Sequence, residues 1–538
     1  MEMAIFLGQL KNYAHAFITN RIHSFARASR CIRELVMFLY RFFSFRVSPF
    51  WIQLCYFVSL ALLGSLAMMV LKPDNPAFGP RYVDMLFMSV SALTVSGLGT
   101  VEMENFSSSQ IVVLALLMFL GGDVLVCLLG LLFRRSRHDN RPEITSSRRV
   151  DSIGIELDSM KPSNTLDNIE LGRDVSGTPI DDGKDLMSSC IRYLGSAVLC
   201  FVIVFHVVGC LAIFLYIILV SSARDVLKRK GINNFLFSIF TTISSFANGG
   251  LISTNENMLI FNNNPGLYLI IIPQILGGNL LFPLCLRLVI WALRRLTKAV
   301  EFEYMLKNPS EIQFGHLRPD LQTLFLSLTC IGFIAAMVAL FCSMDWTSAV
   351  FQGLNSYEKL VSALFMAVNS RHSGENSIDI SLASPSVIVL FILMMYLPPS
   401  VSFVPIHENE SSSEGDRREN EKSWSPVDNL LLSQLSSIVI FIIMICITER
   451  KKLTEDPLNF STLNVIFEVT SGYGNVGLSM GYSCSRFLRL HPDAHCLDRA
   501  YSFSGAWSDE GKLILAIIML YGRLKNFTIE NGKAWQLL

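Results

Sequence analysis

The feature that most constrains this chain is a set of long stretches without a single Asp, Glu, Lys or Arg. They run over residues 47–71, 193–223, 258–286, 321–344, 380–407 and 429–448. Residues 109–133 form a seventh, interrupted by Asp123 alone. A bilayer core of roughly 30 Å needs about 20 apolar residues of helix, so each of these is long enough to cross. An eighth span starts from the uncharged residues 513–522 and must continue through Arg523. Charged residues make up 16% of the 538 and hydrophobic residues 51%. Soluble proteins carry about 25% charged residues, which argues against a soluble multidomain enzyme. With 44 basic and 44 acidic side chains the chain has no net charge, so no nucleic-acid partner is expected.

Basic residues cluster before span one, after span two, after span four and at the end of span eight. The positive-inside rule then places both termini in the cytoplasm. The chain divides into a basic cytoplasmic N-terminus (1–46), repeat one (47–133), a polar cytoplasmic loop (134–187), repeat two (188–298), repeat three (299–407), a second polar cytoplasmic loop (408–428) and repeat four (429–538). Both polar loops lack the apolar surface that would offset the entropy of ordering, and are expected to be disordered. The first 46 residues show no apolar stretch ending in a cleavage site, so no signal peptide is expected. No CxxC pair suggests a zinc site. Cys484 and Cys496 fall on the predicted extracellular side, where a disulfide between them can form.

A fourfold repeat organises the spans. Between the two spans of each pair lies a shorter half-apolar segment ending in small and polar residues: 89–105, 238–257, 364–377 and 465–483. Gly97, Gly250 and Gly477 each precede Leu, whereas the third segment reads Ser373-Gly374-Glu375. The unit is helix, re-entrant loop, helix. Irregular backbone at membrane depth is tolerated only where protein or water satisfies it. Four such loops about one axis supply the ring of carbonyls that replaces a cation's hydration shell. Glycine suits that place because it reaches unusual backbone angles and adds no side chain.

On these segments the chain resembles the plant HKT high-affinity potassium transporters of the Trk/Ktr/HKT superfamily. The carriers are TVSGLGTVEME (94–104), FANGGLISTNENM (246–258), PQILGGNLLFP (273–283), SYEKLVSALFMAVNSRHSGE (356–375), FILMMYLPP (391–399), SGYGNVGLSMGYSC (471–484) and YGRLKNFT (521–528). The resemblance covers residues 47–538. It implies an all-α membrane protein of eight transmembrane helices, arranged as four pseudo-symmetric helix–pore loop–helix repeats around a central ion pathway. It implies a plasma-membrane homodimer in the bilayer with one pore per protomer. K+ and Na+ are the transported ions, bound as monovalent cations at the filter only, with no cofactor. The filter positions are Gly97, Gly250, Gly374 and Gly477, flanked by Ser96, Gly249, Ser373 and Val476. Glycine at all four resembles the potassium-permeable, sodium–potassium cotransporting subfamily. Serine at the first position would resemble the sodium-selective one, and a sodium-selective uniporter is the alternative. Ser96 keeps a hydroxyl beside that position.

Arg523 matches a basic residue of the last inner helix that faces the pore and raises the barrier to cations. An ionisable group at membrane depth marks function by default. Asp123 follows Gly121-Gly122 and reads either as a structural acid or as a pore-lining one. Pro398-Pro399 must break the sixth span, so Tyr396, Pro398 and Pro399 are the candidate gate. Glu375 reads as a carboxylate that concentrates cations at the mouth, and Glu102 and Glu104 read either the same way or as a solvated face. His206 reads as a packed core histidine. A polytopic membrane enzyme is the remote alternative, but no HExxH or Walker motif stands in the sequence.

Overall fold

The computed structural model describes residues 49–75, 78–139, 179–312, 314–397, 434–493, 495–496 and 501–530. The described residues form helices and turns, with no strand among them. The basic N-terminus and the bodies of the two polar loops lie outside these ranges, as do Pro398 and Pro399.

Four units repeat along the chain, each with an outer, a pore and an inner helix. The outer helices are Pro49–Val70, Pro179–Leu219, Asp320–Asp345 and Gln434–Thr448. The pore helices are Tyr82–Leu93, Asn234–Ala247, Ser356–Asn369 and Thr462–Gly474. The inner helices are Ser108–Gly121 with Asp123–Asp139, Pro265–Gly278 with Phe282–Thr297, Pro385–Tyr396, and Asp509–Glu530. Between each pore loop and its inner helix sits a short 3₁₀ turn: Met103–Asn105, Asn257–Phe261, Ile380–Leu382 and Phe503–Ala506.

Pore helices are buried on nearly every side and rich in Ser and Thr, whose hydroxyls bond back to the helix. Thr242 donates to the Ser238 carbonyl at 2.7 Å and Ser238 to that of Asn234 at 2.8 Å. Outer helices are apolar along their span-length cores and leave one face uncovered. Leu62, Leu63 and Leu66, then Val207, Val208 and Leu211, then Leu324, Leu328 and Ile331 lie exposed in rows at helical spacing. Such faces need lipid or protein cover.

In every unit the outer helix packs on its own pore helix. Each inner helix then packs on the pore helix of the next unit, and inner helix four packs on pore helix one. The closing joint carries a buried ion pair, Lys512 with Asp84 at 2.7 Å. Sequential helices thus form a closed ring, and the four re-entrant loops are confined to its middle.

Inner helices one and two are bent, by 59° and 82°, at Gly121-Gly122 and at Gly278–Leu281. Sequence reading placed a break in the third inner helix alone. At both bends an inner-helix glycine meets the end of its own pore helix. A β-carbon on Gly121 would overlap the Leu93 carbonyl oxygen, and one on Gly278 that of Phe246. Gly522 holds the same relation to the Tyr473 carbonyl in unit four. Pore helices one, two and four each end against an inner-helix glycine, and no larger residue fits there. By length and composition, three described helices can cross a membrane, or five when each bent pair counts as one span.

Candidate ion pathway

All four pore helices aim their C-terminal ends at one place, and the chain then turns back through an extended loop. One bond recurs in this turn. The amides of Ser96, Gly249 and Val476 donate to the carbonyls of Ser91, Ser244 and Ser471, at 2.8, 2.7 and 3.0 Å. In loop three the donor is the amide of Gly374 itself, to Asn369 at 3.2 Å. That one-residue shift is the physical counterpart of the SRHSGE departure in sequence. Val95, Asn248 and Asn475, two residues before the glycines of loops one, two and four, are left-handed, with φ of 51°, 62° and 51°. Asparagine tolerates that region, whereas a β-branched valine there is strained.

Gly97, Gly250, Gly374 and Gly477 meet in a ring, all at positive φ (71°, 67°, 68° and 102°). A β-carbon on Gly97 would stand 3.0 Å from the Gly249 carbonyl oxygen and 3.0 Å from the Gly250 Cα. On Gly250 and Gly374 it would overlap the carbonyl oxygens of Ser373 and Val476. On Gly477 it would stand 2.7 Å from the Ser96 oxygen. Each glycine therefore faces the carbonyl that precedes the glycine of the next loop, in cyclic order. The eight residues singled out by sequence, four glycines and four flanking residues, are those brought together. A cavity of about 280 Å³ opens outside the ring, lined by loop residues of all four units.

Side chains bind the loops to one another. Asn257 Nδ2 donates to the Gly250 carbonyl at 3.3 Å, while its Oδ1 accepts from the Asn376 amide at 3.2 Å, joining loops two and three. Ser502 accepts from the Gly99 amide and donates its own amide to the Gly99 carbonyl, both at 2.9 Å. Asn475 joins loops one and four. These three were not singled out by sequence. The recurring Asn two residues before Gly250 and Gly477 was the available signal.

Two mouth carboxylates are placed differently from expectation. Glu375 is fully buried behind loop three, where Ser245 Oγ donates to it at 2.6 Å. Glu104 is held by Lys230 at 2.6 Å, and Glu256 binds the same ammonium at 2.6 Å. Burial works against that ammonium's charge, but its hydrogen bonds to Glu104 and Glu256 and their charges outweigh it and raise the Lys230 pKa. One positive charge thus sits between two carboxylates and offsets one of them. Cys484 and Cys496 are joined in a disulfide, with a Cα–Cα distance of 5.6 Å. His206 Nδ1 lies 2.8 Å from the Val202 carbonyl, and the ring packs against Phe119 and Phe246.

Below the ring, at the layer of inner-helix breaks, Arg523 is 3% exposed. It pairs with Asp123 at 2.7 Å and donates to the Gly121 carbonyl. The second Asp123 oxygen accepts from Asn279 Nδ2 at 2.8 Å. Asp123 is thus a satisfied acid, held by Arg523 and Asn279, as the structural reading expected. Tyr396 is the last residue of inner helix three, partly buried against the largest core cluster. Nearby, the Met395 carbonyl lies 2.6 Å from where a β-carbon of Gly474 would be. Among the described residues no group of three His, Cys, Asp or Glu could hold a metal ion.

Residues 168–404 and 416–530 match the family of TrkH cation transport proteins. The chain belongs to the TrkH/HKT family of cation transporters. Among its plant HKT relatives is cation transporter HKT2;4 of Oryza sativa subsp. japonica, 46% identical over 512 residues, which are 94% of this chain and 98% of the relative. Another is sodium transporter HKT1 of Arabidopsis thaliana, 42% identical over 479 residues, 88% of this chain and 92% of the relative. The crystal structure of the potassium transporter TrkH from Vibrio parahaemolyticus aligns with a TM-score of 0.49 at 14% identity, covering 89% of this chain and 83% of that one. As a member of this family the protein is a membrane cation transporter rather than an enzyme.

Proposed function

We propose that the chain passes potassium and sodium through a selectivity filter made by Gly97, Gly250, Gly374 and Gly477, as sodium–potassium cotransport or potassium uptake. The observation that carries this reading is the cyclic approach of each glycine to the carbonyl before the next loop's glycine. A ring built that way offers backbone oxygens from four sides and no side chain. Dehydration of the larger ion is then compensated by carbonyl dipoles. Four helix C-termini directed at the ring add a negative potential that favours a cation without any formal charge.

In this reading the chain crosses the plasma membrane eight times with both termini in the cytoplasm, and two protomers associate with one pore each. Arg523 sets the barrier beneath the filter. Tyr396, Pro398 and Pro399 form the gate. The sodium-selective alternative rests on one observation: Gly97 has the most room for a β-carbon of the four. The relative named a sodium transporter is consistent with it.

Two-electrode recording in oocytes separates the two. Reversal potential is followed while external K+ and Na+ are varied independently. Shifts with both ions are expected. A shift with sodium alone would overturn potassium permeation, and Gly97→Ser should move the wild type toward that behaviour.

A further inference from the structure

Asn475 and Asn248 occupy equivalent left-handed positions at the ends of pore helices four and two. Backbone conformation alone would account for asparagine at both. Their amides are used differently. Asn248 Nδ2 reaches the Phe246 carbonyl within its own loop, at 3.4 Å. Asn475 Nδ2 keeps a comparable local contact, to the Gly472 carbonyl at 3.4 Å, but its short bonds leave the loop: it donates to Ser96 Oγ at 2.7 Å and to the Met519 carbonyl at 2.9 Å.

The bonds around Ser96 have a single consistent direction. Thr94 Oγ1 donates to the Val90 carbonyl at 2.8 Å. Its proton is therefore spent, so in the 2.7 Å contact between Thr94 and Ser96 the serine is the donor. Ser96 Oγ then accepts from Asn475, which can only donate through Nδ2. The Ser96 hydroxyl is thus engaged as donor and as acceptor, and both partners hold it toward the protein. The chain of bonds runs from pore helix one through loop one and loop four to Met519, one turn before Arg523 on inner helix four. Ser96 is fully buried and Asn475 is 3% exposed, so solvent does not compete for these bonds. The Ser96 carbonyl, in turn, is the one that faces Gly477 in the ring.

We propose that Asn475 is a positioning residue for ion selectivity. Its amide fixes the Ser96 hydroxyl away from the pathway, sets the Ser96 carbonyl in the glycine ring, and ties that side of the ring to the helix bearing Arg523. This rests on the ring being the selectivity filter. Without the tie, loop one closes more readily around a smaller ion, and discrimination against sodium falls.

The test uses the full-length protein in oocytes, with surface expression measured in parallel. Asn475→Gly keeps the left-handed backbone accessible and removes the amide. Ser96→Ala removes the other end of the bond with a minimal change. Each should raise the sodium-to-potassium permeability ratio by about threefold to tenfold, the range expected for one buried hydrogen bond. The double variant should exceed neither single by much, because both delete one interaction. Asn248→Gly is the control and should leave the ratio unchanged. Permeability ratio does not depend on how much protein reaches the surface, so a purely structural loss would not move it. If Gly97→Ser shifts the ratio and neither Asn475→Gly nor Ser96→Ala changes it twofold, the positioning role is wrong and the filter stands. If Gly97→Ser also has no effect, the filter reading falls and this proposal with it. Should Asn475→Gly fail to reach the surface, Ser96→Ala decides alone.

Discussion

The glycine ring and the layer of inner-helix breaks beneath it are both built on glycine, yet they differ in what the glycine admits. In the ring, the missing side chain leaves a carbonyl of the neighbouring loop facing the centre. In the layer below, the missing side chain of Gly121, Gly278 or Gly522 lets the end of a pore helix press on an inner helix, which bends at the first two and runs unbroken through the third. The first is an opening and the second is a contact. Their electrostatics differ too. The ring contains no charged group, whereas the layer below holds Arg523 against Asp123 and Asn279. A neutral ring suits an ion that must enter and leave, and in the proposed function the compensated charge below it sets the barrier.

Breaking the contact layer should have the largest effect. Gly278→Ala or Gly121→Ala drives a methyl group into a backbone carbonyl that has no rotamer to escape through. The cost should exceed the roughly 1–3 kcal/mol of ordinary overpacking. The expected result is little folded protein by size exclusion in detergent. A monodisperse peak at wild-type yield would show that the helices can separate. In the ring, Gly374→Ala and Gly250→Ala should abolish cation current; the methyl meets a backbone carbonyl there too, so surface expression is measured alongside. Gly97→Ala, with 3.0 Å of clearance, should retain a measurable fraction. Equal currents from all three would erase the distinction among ring positions.

Arg523→Gln sharpens the difference in charge. It removes the positive group that Asp123 compensates, so cation current at equal surface expression should rise several-fold. Adding Asp123→Asn should return part of the increase, and a double variant as conductive as the single would separate the two residues. The smallest effect belongs to the outer rim. Lys230→Ala frees Glu104 and Glu256, and a partly exposed pair of this kind contributes up to about 1 kcal/mol. Thermal stability should fall slightly, by a differential scan in detergent. The raised Lys230 pKa gives the sign of the pH dependence. The pairing is complete below the ordinary lysine value of 10.5 and is lost only above it, so rim stability should be flat through neutral pH.

Much of this was legible in the sequence because it follows from periodic, local constraints. Charge-free stretches of span length mark outer and inner helices, and a Gly-Leu step at three of four loops marks the ring. Gly374 was found despite its altered context because the repeat fixed its position. What escaped was set by contacts between units. Nothing local distinguishes Asn475, bonded to Ser96, from Asn248, which stays within its own loop. Glu375 looks in sequence like a mouth carboxylate, and it is the fold that buries it against Ser245.

The sequence by itself determined that this chain enters a membrane, repeats one unit four times and places a glycine in each loop. Those outcomes depend on hydropathy and on spacing along the chain. Only the tertiary structure decided which carbonyl each glycine faces, where the inner helices bend and what Arg523 touches. The reason is that inner helix four closes on pore helix one, joining residues some 400 positions apart in the chain, as in Lys512 with Asp84 (|i−j| = 428). Partners at such separations are chosen by ring closure, and no local pattern carries that choice.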